Sequence, residues 1–166
     1  MDAQTLLREN LDRVYGLALR LSGNEADAWD LTQEAFLRAL KALPGFRGDS
    51  AAATWLFRIT VNAWKNRVRA EKRRKFWKTV TLGLITGEDG EREYVEPAAE
   101  EPAPDARLET SERDAAVQKA LMTLDEDERA IVVLRELEDK SYEEIGEAMS
   151  LPQGTVKSRL FRARRS

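Results

Sequence analysis

The sequence contains no cysteine and no histidine in its 166 residues. The missing cysteine excludes a disulfide framework and a thiol nucleophile, and fits a reducing compartment. With histidine gone as well, there is no imidazole base and no soft donor set for a transition metal. Carboxylates alone could support chemistry, but no glycine-rich phosphate loop and no metal-spaced acid motif is present. An enzyme is therefore disfavoured, and neither a metal nor a cofactor is expected. Long apolar runs are also missing, since none approaches the roughly 18 residues of a spanning helix. The opening MDAQTLLRENLDR carries acids where an export signal is basic, so a cytoplasmic location is expected.

What is present is charge, unevenly placed. Between Arg58 and Lys78 there are nine basic residues and one acid, a local +8. Between Glu88 and Asp114 there are eleven acids and three arginines, a local -8. The tail from Leu151 is +5, so the net charge of -3 hides two basic blocks separated by an acidic one. Such blocks suggest partners of opposite sign.

Five prolines and nine glycines leave most of the chain free to form helix. Helices are expected over about 3–21, from the N-cap Asn24 to about Leu43, and from after Ser50 to about Lys75. The acidic, proline-bearing stretch GEDGEREYVEPAAEEPAPDARLE has no apolar period and reads as a linker. Helical pattern resumes near Ser111. Asp125 and Glu128 start a helix with apolar Ile131, Leu134 and Leu137, and Ser141 with Glu144 forms a capping box. The fold class is all-α: a three-helix bundle at 1–76, a linker at 77–110 and a helix-turn-helix unit at 111–166.

The last helix has two faces. At helical spacing Val156, Leu160 and Ala163 can pack on Ile145 and Met149, while Lys157, Ser158, Phe161, Arg162 and Arg165 face elsewhere. Arginine can fork onto guanine edges, and serine and lysine reach phosphate or base. The bland alternative is a solvated basic helix end, where cations suit the C-terminal dipole. Dipole preference concerns only the last turn, and these charges begin in the first.

In TWLFRITVNAWKNRVRAEKRRK, Phe57, Val61, Trp64 and Val68 make an apolar face. Almost opposite stand Trp55, Arg58, Asn62, Lys65, Asn66 and Arg69. Cations, amides and an aromatic on one face suit an exposed nucleic-acid strand, with phosphate, base edge and stacking each served. The alternative is a solvated helix with one surface tryptophan. On the second helix Ala28, Trp29, Leu31, Ala35, Phe36, Ala39, Leu40 and Leu43 cover about half the circumference, wider than the roughly 100° stripe of a single-core helix. Either two neighbours bury this arc, or part of it docks a partner protein.

Three stretches in order, DAWDLTQEAFLRAL, FRGDSAAATWLFRITVNAWKNR and LDEDERAIVVLRELEDKSYEEIGEAMSLPQGTVKSRLFRAR, resemble the signatures of bacterial sigma factors. The similarity is to the small two-domain extracytoplasmic-function group and covers about residues 5–75 and 111–165. The resemblance implies a protein that binds core RNA polymerase and directs it to promoter DNA. One domain would read the minus-ten element as a melted strand, the other the minus-thirty-five element as duplex. By match, Asp30, Gln33, Glu34 and Leu37 would sit on the polymerase clamp helices. The loop from Phe46 to Ala53, including Arg47, Gly48, Asp49 and Ser50, would hold a flipped base, with Trp55, Asn62 and Lys65 beside it and Arg58, Asn66 and Arg69 on the same DNA-binding face. Lys157, Ser158, Phe161 and Arg162 would enter the major groove, with Thr155, Arg159 and Arg165 next to them.

Some positions depart from the family pattern. Trp29 stands where an acid is usual, and Ala52 and Ala53 replace bulkier residues. Gly146 and Ser150 stand where alanine and glycine are usual, so Ser150 is expected in a left-handed conformation at some cost. The apolar stretch Phe76 to Ile85 is expected to pack on one of the two domains or on an inhibitory partner. The acidic remainder of the linker is expected to be flexible. The resemblance further implies an anti-sigma protein, commonly membrane-bound, and a free monomer. A free-standing helix-turn-helix regulator is the alternative. It needs neither the second basic stripe nor the long tether.

Overall fold

The structure, a computed structural model, describes residues 2–86 and 108–166. Among the described residues the ordered elements are helical, with no strand. Helix α1 (Ala3–Ser22) starts where Asp2 accepts from the Thr5 N–H at 2.9 Å, and ends where Gly23, at φ 83°, donates to Leu19 O at 2.9 Å. A Cβ on Gly23 would lie 2.8 Å from Met122 Sδ, so that glycine also permits a close approach. Asn24 caps α2 (Glu25–Ala42), as expected, by accepting from the Asp27 N–H at 2.9 Å. A 3-10 turn at Leu43–Gly45 follows, then α3 (Ala52–Thr86).

The first three helices bury Leu6, Val14, Leu17 and Leu21 of α1, Ala28, Leu31, Ala35, Phe36 and Ala39 of α2, and Leu56, Phe57, Val61 and Trp64 of α3. Each large side chain removed from water contributes about 1.5–3 kcal/mol. The wide apolar arc on α2 is thus divided. Its alanine and Phe36 side goes into the core, while Trp29 and Leu40 stay exposed.

Helix α4 (Leu108–Thr123) is followed by α5 (Glu126–Val132), which continues through one π-helical turn, Val133–Leu137. Asp125 caps α5 by accepting from the Glu128 N–H at 2.8 Å. Ile131 and Leu134 are buried, but Leu137 is exposed, because the wider π turn rotates it off the apolar face. Helix α6 (Tyr142–Met149) opens with the full capping box of Ser141 and Glu144, and α7 (Gln153–Arg164) completes the chain. Val156 and Leu160 pack with Ile145 and Met149, as the helical spacing requires.

One expectation fails on α3, and one alternative of a second is not met. The helix does not end near Lys75 but runs on to Thr86. Nor does the segment from Phe76 to Ile85 pack on either group of helices, since Phe76, Trp77, Leu84 and Ile85 remain exposed. Only Val80 there is half-buried. The reason for the extension is local: from Lys72 to Thr86 there is no proline and only one glycine, Gly83, to break the helix. The flexible acidic linker expected before residue 108 lies outside the described residues.

The two groups of helices nonetheless pack together directly. The Arg129 guanidinium donates to Leu21 O at 2.9 Å, Leu121 O at 3.0 Å and Leu124 O at 3.2 Å, and lies over the Trp64 ring at 5.7 Å. Gln118 Nε2 donates to Arg20 O at 3.1 Å. The last carbonyls of α1, which lack partners within their own helix, are therefore capped from α4 and α5. On the far side, Lys140 Nζ donates to Thr54 Oγ1 at 3.0 Å, and Thr54 donates to Glu144 Oε1 at 3.3 Å.

Candidate nucleic-acid interface

The turn between α6 and α7 fixes how α7 is presented. Ser150 adopts φ 55°, ψ 46°, the left-handed conformation expected of it. Leu151 N–H then donates to Gly146 O at 2.9 Å, and a Cβ on residue 146 would lie 2.7 Å from Leu151 O. Glycine at 146 is what lets the chain turn this tightly. With Val156, Leu160 and Ala163 buried, Lys157, Ser158, Phe161, Arg162 and Arg165 are all exposed on the outer surface. Thr155 is half-buried, and its carbonyl accepts from Ser158 Oγ at 3.0 Å. The Lys157 ammonium sits 5.4 Å from the Tyr142 ring centroid, and Arg135 lies over the same ring at 4.5 Å.

On α3, Trp55 is half-buried and its ring lies 4.6 Å from that of Phe46, so the loop and the helix meet through two aromatics. Arg47, Gly48, Asp49 and Ser50 are exposed, with Gly48 at φ 77°. Arg58, Asn62, Asn66 and Arg69 form an exposed row. Lys65 departs from the expectation of an open stripe. Its side chain is only 17% exposed, and Nζ lies 3.4 Å from Asp127 Oδ1.

Arg159 likewise is half-buried and donates to Asp127 Oδ2, while Arg162 donates to Glu128 and lies 3.8 Å from Asp125. Lys72 donates to Glu126 Oε2 at 3.1 Å. The four acids at the start of α5 thus stand between α3 and α7. They close a cleft of about 440 Å³ lined by Lys65, Arg69, Lys72, Arg159 and Arg162. Burial works to raise the Asp127 carboxyl, but the hydrogen bond from Arg159 and the charge of Lys65 outweigh it and hold its pKa below the usual aspartate range. The hydrogen bond to Glu128, then its charge, pushes the Arg162 guanidinium up.

Sequence reasoning missed this acidic counterweight. Its signal was in the run Asp125, Glu126, Asp127, Glu128, which reads as a helix start and as nothing more. It missed Arg129 for the same reason, since a lone arginine in an acidic stretch carries no sign of three carbonyl partners.

Helix α2 presents a separate face. Asp30, Gln33 and Leu37 are exposed beside Trp29, whose ring lies 4.4 Å from that of Tyr15. Glu34 does not join them freely: it accepts from Arg67 Nε at 2.7 Å and from Arg38 Nη2 at 2.6 Å, bracing α2 against α3.

The profile of sigma-70 region 2 matches residues 6–74, and that of sigma-70 region 4 matches residues 114–166. The RNA polymerase sigma-H factor of Pseudomonas aeruginosa is 40% identical over 153 residues, 92% of this chain and 77% of that protein. The chain is an extracytoplasmic-function sigma factor. The ECF RNA polymerase sigma-E factor of Escherichia coli K12, an extracytoplasmic-function relative, is 42% identical over 138 residues, covering 83% of this sigma factor and 70% of its own length. A Bartonella quintana sigma factor, RpoE, solved in complex with the anti-sigma factor NepR, superposes with a TM-score of 0.71 at 27% identity, over 96% of this chain and 89% of that one. CnrH, solved with the cytosolic domain of CnrY, shares the fold, with a TM-score of 0.64 at 24% identity over 98% of this chain and 82% of that one. As a sigma factor, the protein is an initiation factor associated with RNA polymerase, and the free-standing regulator is set aside. None of the described helices of this sigma factor is long and apolar enough to cross a membrane.

Proposed function

We propose that residues 1–76 and 111–166 act as two DNA-reading domains joined through 77–110, with the polymerase held by α2. The loop from Phe46 to Ser50 and the row Trp55, Arg58, Asn62, Lys65, Asn66 and Arg69 take the minus-ten element as a single strand. Thr155, Lys157, Ser158, Arg159, Phe161, Arg162 and Arg165 take the minus-thirty-five element as duplex. The observation that carries this reading is that two helices far apart in sequence each turn a basic, polar face outward while their apolar faces make the core. Cations for phosphate, amides and guanidinium for base edges and an aromatic for stacking are the groups such targets need. Asp30, Gln33 and Leu37, with Glu34 at their edge, form the face for core polymerase. The protein is not an enzyme and works in the cytoplasm.

One solved neighbour, RpoE of Bartonella quintana, is bound to the anti-sigma factor NepR, which supports an anti-sigma partner here. The closed arrangement supports one more element of the reading. Lys65, Arg159 and Arg162 are held by acids of the chain itself, so the halves must separate before both promoter elements can be engaged.

Reconstitution with core polymerase tests this reading. The complex should initiate at a defined set of promoters, and Arg162→Ala should weaken minus-thirty-five duplex binding by about 1–3 kcal/mol and relax preference at one base pair. Absence of core binding, or unchanged duplex affinity, would overturn it.

A further inference from the structure

From residue 71 to residue 85, helix α3 is exposed on every side except at half-buried Val80. That is roughly 22 Å of helix, joined to α5 near its start by Lys72, which donates to Glu126. A free helix of this length is marginal in water, and most helices depend on a covered apolar face. This one has such a face. Projected at helical spacing, Phe76, Trp77, Val80 and Leu84 fall within an arc of about 100°. Phe76 is 61% exposed, Trp77 64% and Leu84 83%, while Ile85 is exposed at the tip outside this arc. The two rings at its base meet edge to face at 5.7 Å.

The rest of the segment carries charge of one sign. From Lys72 to Gly87 there is no acid, and there are five cations: Lys72, Arg73, Arg74, Lys75 and Lys78. Lys75 and Lys78 lie opposite the apolar arc, with Leu82 projecting between them. Arg74 lies at its edge, and Arg73 lies one turn before it, where a long side chain can reach outward from an apolar contact. A nucleic-acid strand would suit the cations and leave the apolar arc in water. An apolar protein groove would suit the arc and leave the cations unanswered. An anionic lipid surface answers both, because tryptophan and phenylalanine settle at the headgroup boundary while lysine and arginine face phosphate.

We propose that the end of α3, residues 72–85, is an interfacial helix that docks this sigma factor on anionic membrane surfaces. It lies in the plane of the headgroups and does not span. The α7 and α2 faces lie on other elements and the minus-ten row on α3 ends at Arg69, so docking through 72–85 uses none of the residues assigned above to DNA or polymerase.

The test is sedimentation of the full chain with vesicles. Vesicles of phosphatidylglycerol and phosphatidylethanolamine should retain the protein, and phosphatidylcholine vesicles should not. The double variant Lys75→Glu/Lys78→Glu should lower the partition coefficient at least about thirtyfold, given the worth of each cation near such a surface. Phe76→Ser/Trp77→Ser should abolish retention. Lys119→Glu, an exposed charge reversal on α4, should change little, and circular dichroism should confirm that each variant folds. The proposal is overturned by a lack of retention on anionic vesicles, by equal retention on neutral ones, or by indifference to both double variants. It is also overturned if core polymerase, and not vesicles, shields Trp77 from a soluble quencher.

Discussion

The carboxylate of Asp127 joins two helices that the sequence keeps far apart: Lys65 of α3 lies 3.4 Å from one oxygen, and Arg159 of α7 donates to the other. One acid at the start of α5 therefore pairs with a cation from each of the two faces proposed to read DNA.

Removing that acid should open the closed form. Asp127→Asn is expected to raise affinity of the free protein for promoter duplex by about two- to tenfold, the range for one or two partly exposed ion pairs. The distance between labels on α2 and α7 should lengthen. Raised salt should do the same to the native protein and little to the variant, because salt screens such pairs. Identical distances in variant and native protein would show that apolar packing alone holds the halves.

The pH dependence has a fixed sign. Because Asp127 is held below its ordinary value in the closed form, its contribution is complete above about pH 4 and is lost as pH falls through the depressed value. The midpoint of urea unfolding should be level from pH 6 to 8 with respect to this group and fall below about pH 4. Asp127→Asn should remove part of that acid limb.

Loss of Arg129 should be costly. Its guanidinium serves three carbonyls, and burial pushes its pKa down without freeing it. Arg129→Met leaves those carbonyls without donors, at a cost of about 2–4 kcal/mol in unfolding free energy. Arg129→Lys should recover little of it, since an ammonium lacks the planar fork.

Asn62 and Trp55 should separate a strand defect from a folding defect. Asn62 is exposed, so Asn62→Ala should impair minus-ten strand binding and promoter opening with no change in thermal midpoint. Trp55 is half-buried on Phe46, so Trp55→Ala should lose strand binding and also loosen the loop, lowering stability by about 1–3 kcal/mol. Strand binding unchanged in both would reject this face.

Asp30 is exposed on α2 beside Gln33 and Leu37. Asp30→Lys should weaken binding to core polymerase and leave unfolding within about 0.5 kcal/mol of the native protein. A pull-down that retains normal core affinity would remove the docking assignment.

Much of the local structure was legible because its physics is local. Asn24, Asp125 and Ser141 with Glu144 cap helices through hydrogen bonds spanning three residues. Ser150 had to turn left-handed because helix, turn and helix leave that position no other conformation. The inward side of α7 followed from helical spacing alone. Spacing could not say which part of the wide arc on α2 would be covered. Trp29 and Leu40 differ from Ala35 and Phe36 only in what stands opposite them. Nor could it say that α3 would continue past Lys75 with its apolar end in solvent, since a run of apolar residues does not name its neighbour. The partners of Asp127 and Arg129 belong to the tertiary structure entirely. Lys65 and Leu21 come from the other half of the chain, and electrostatic and carbonyl contacts depend on distance in space, which sequence separation does not encode.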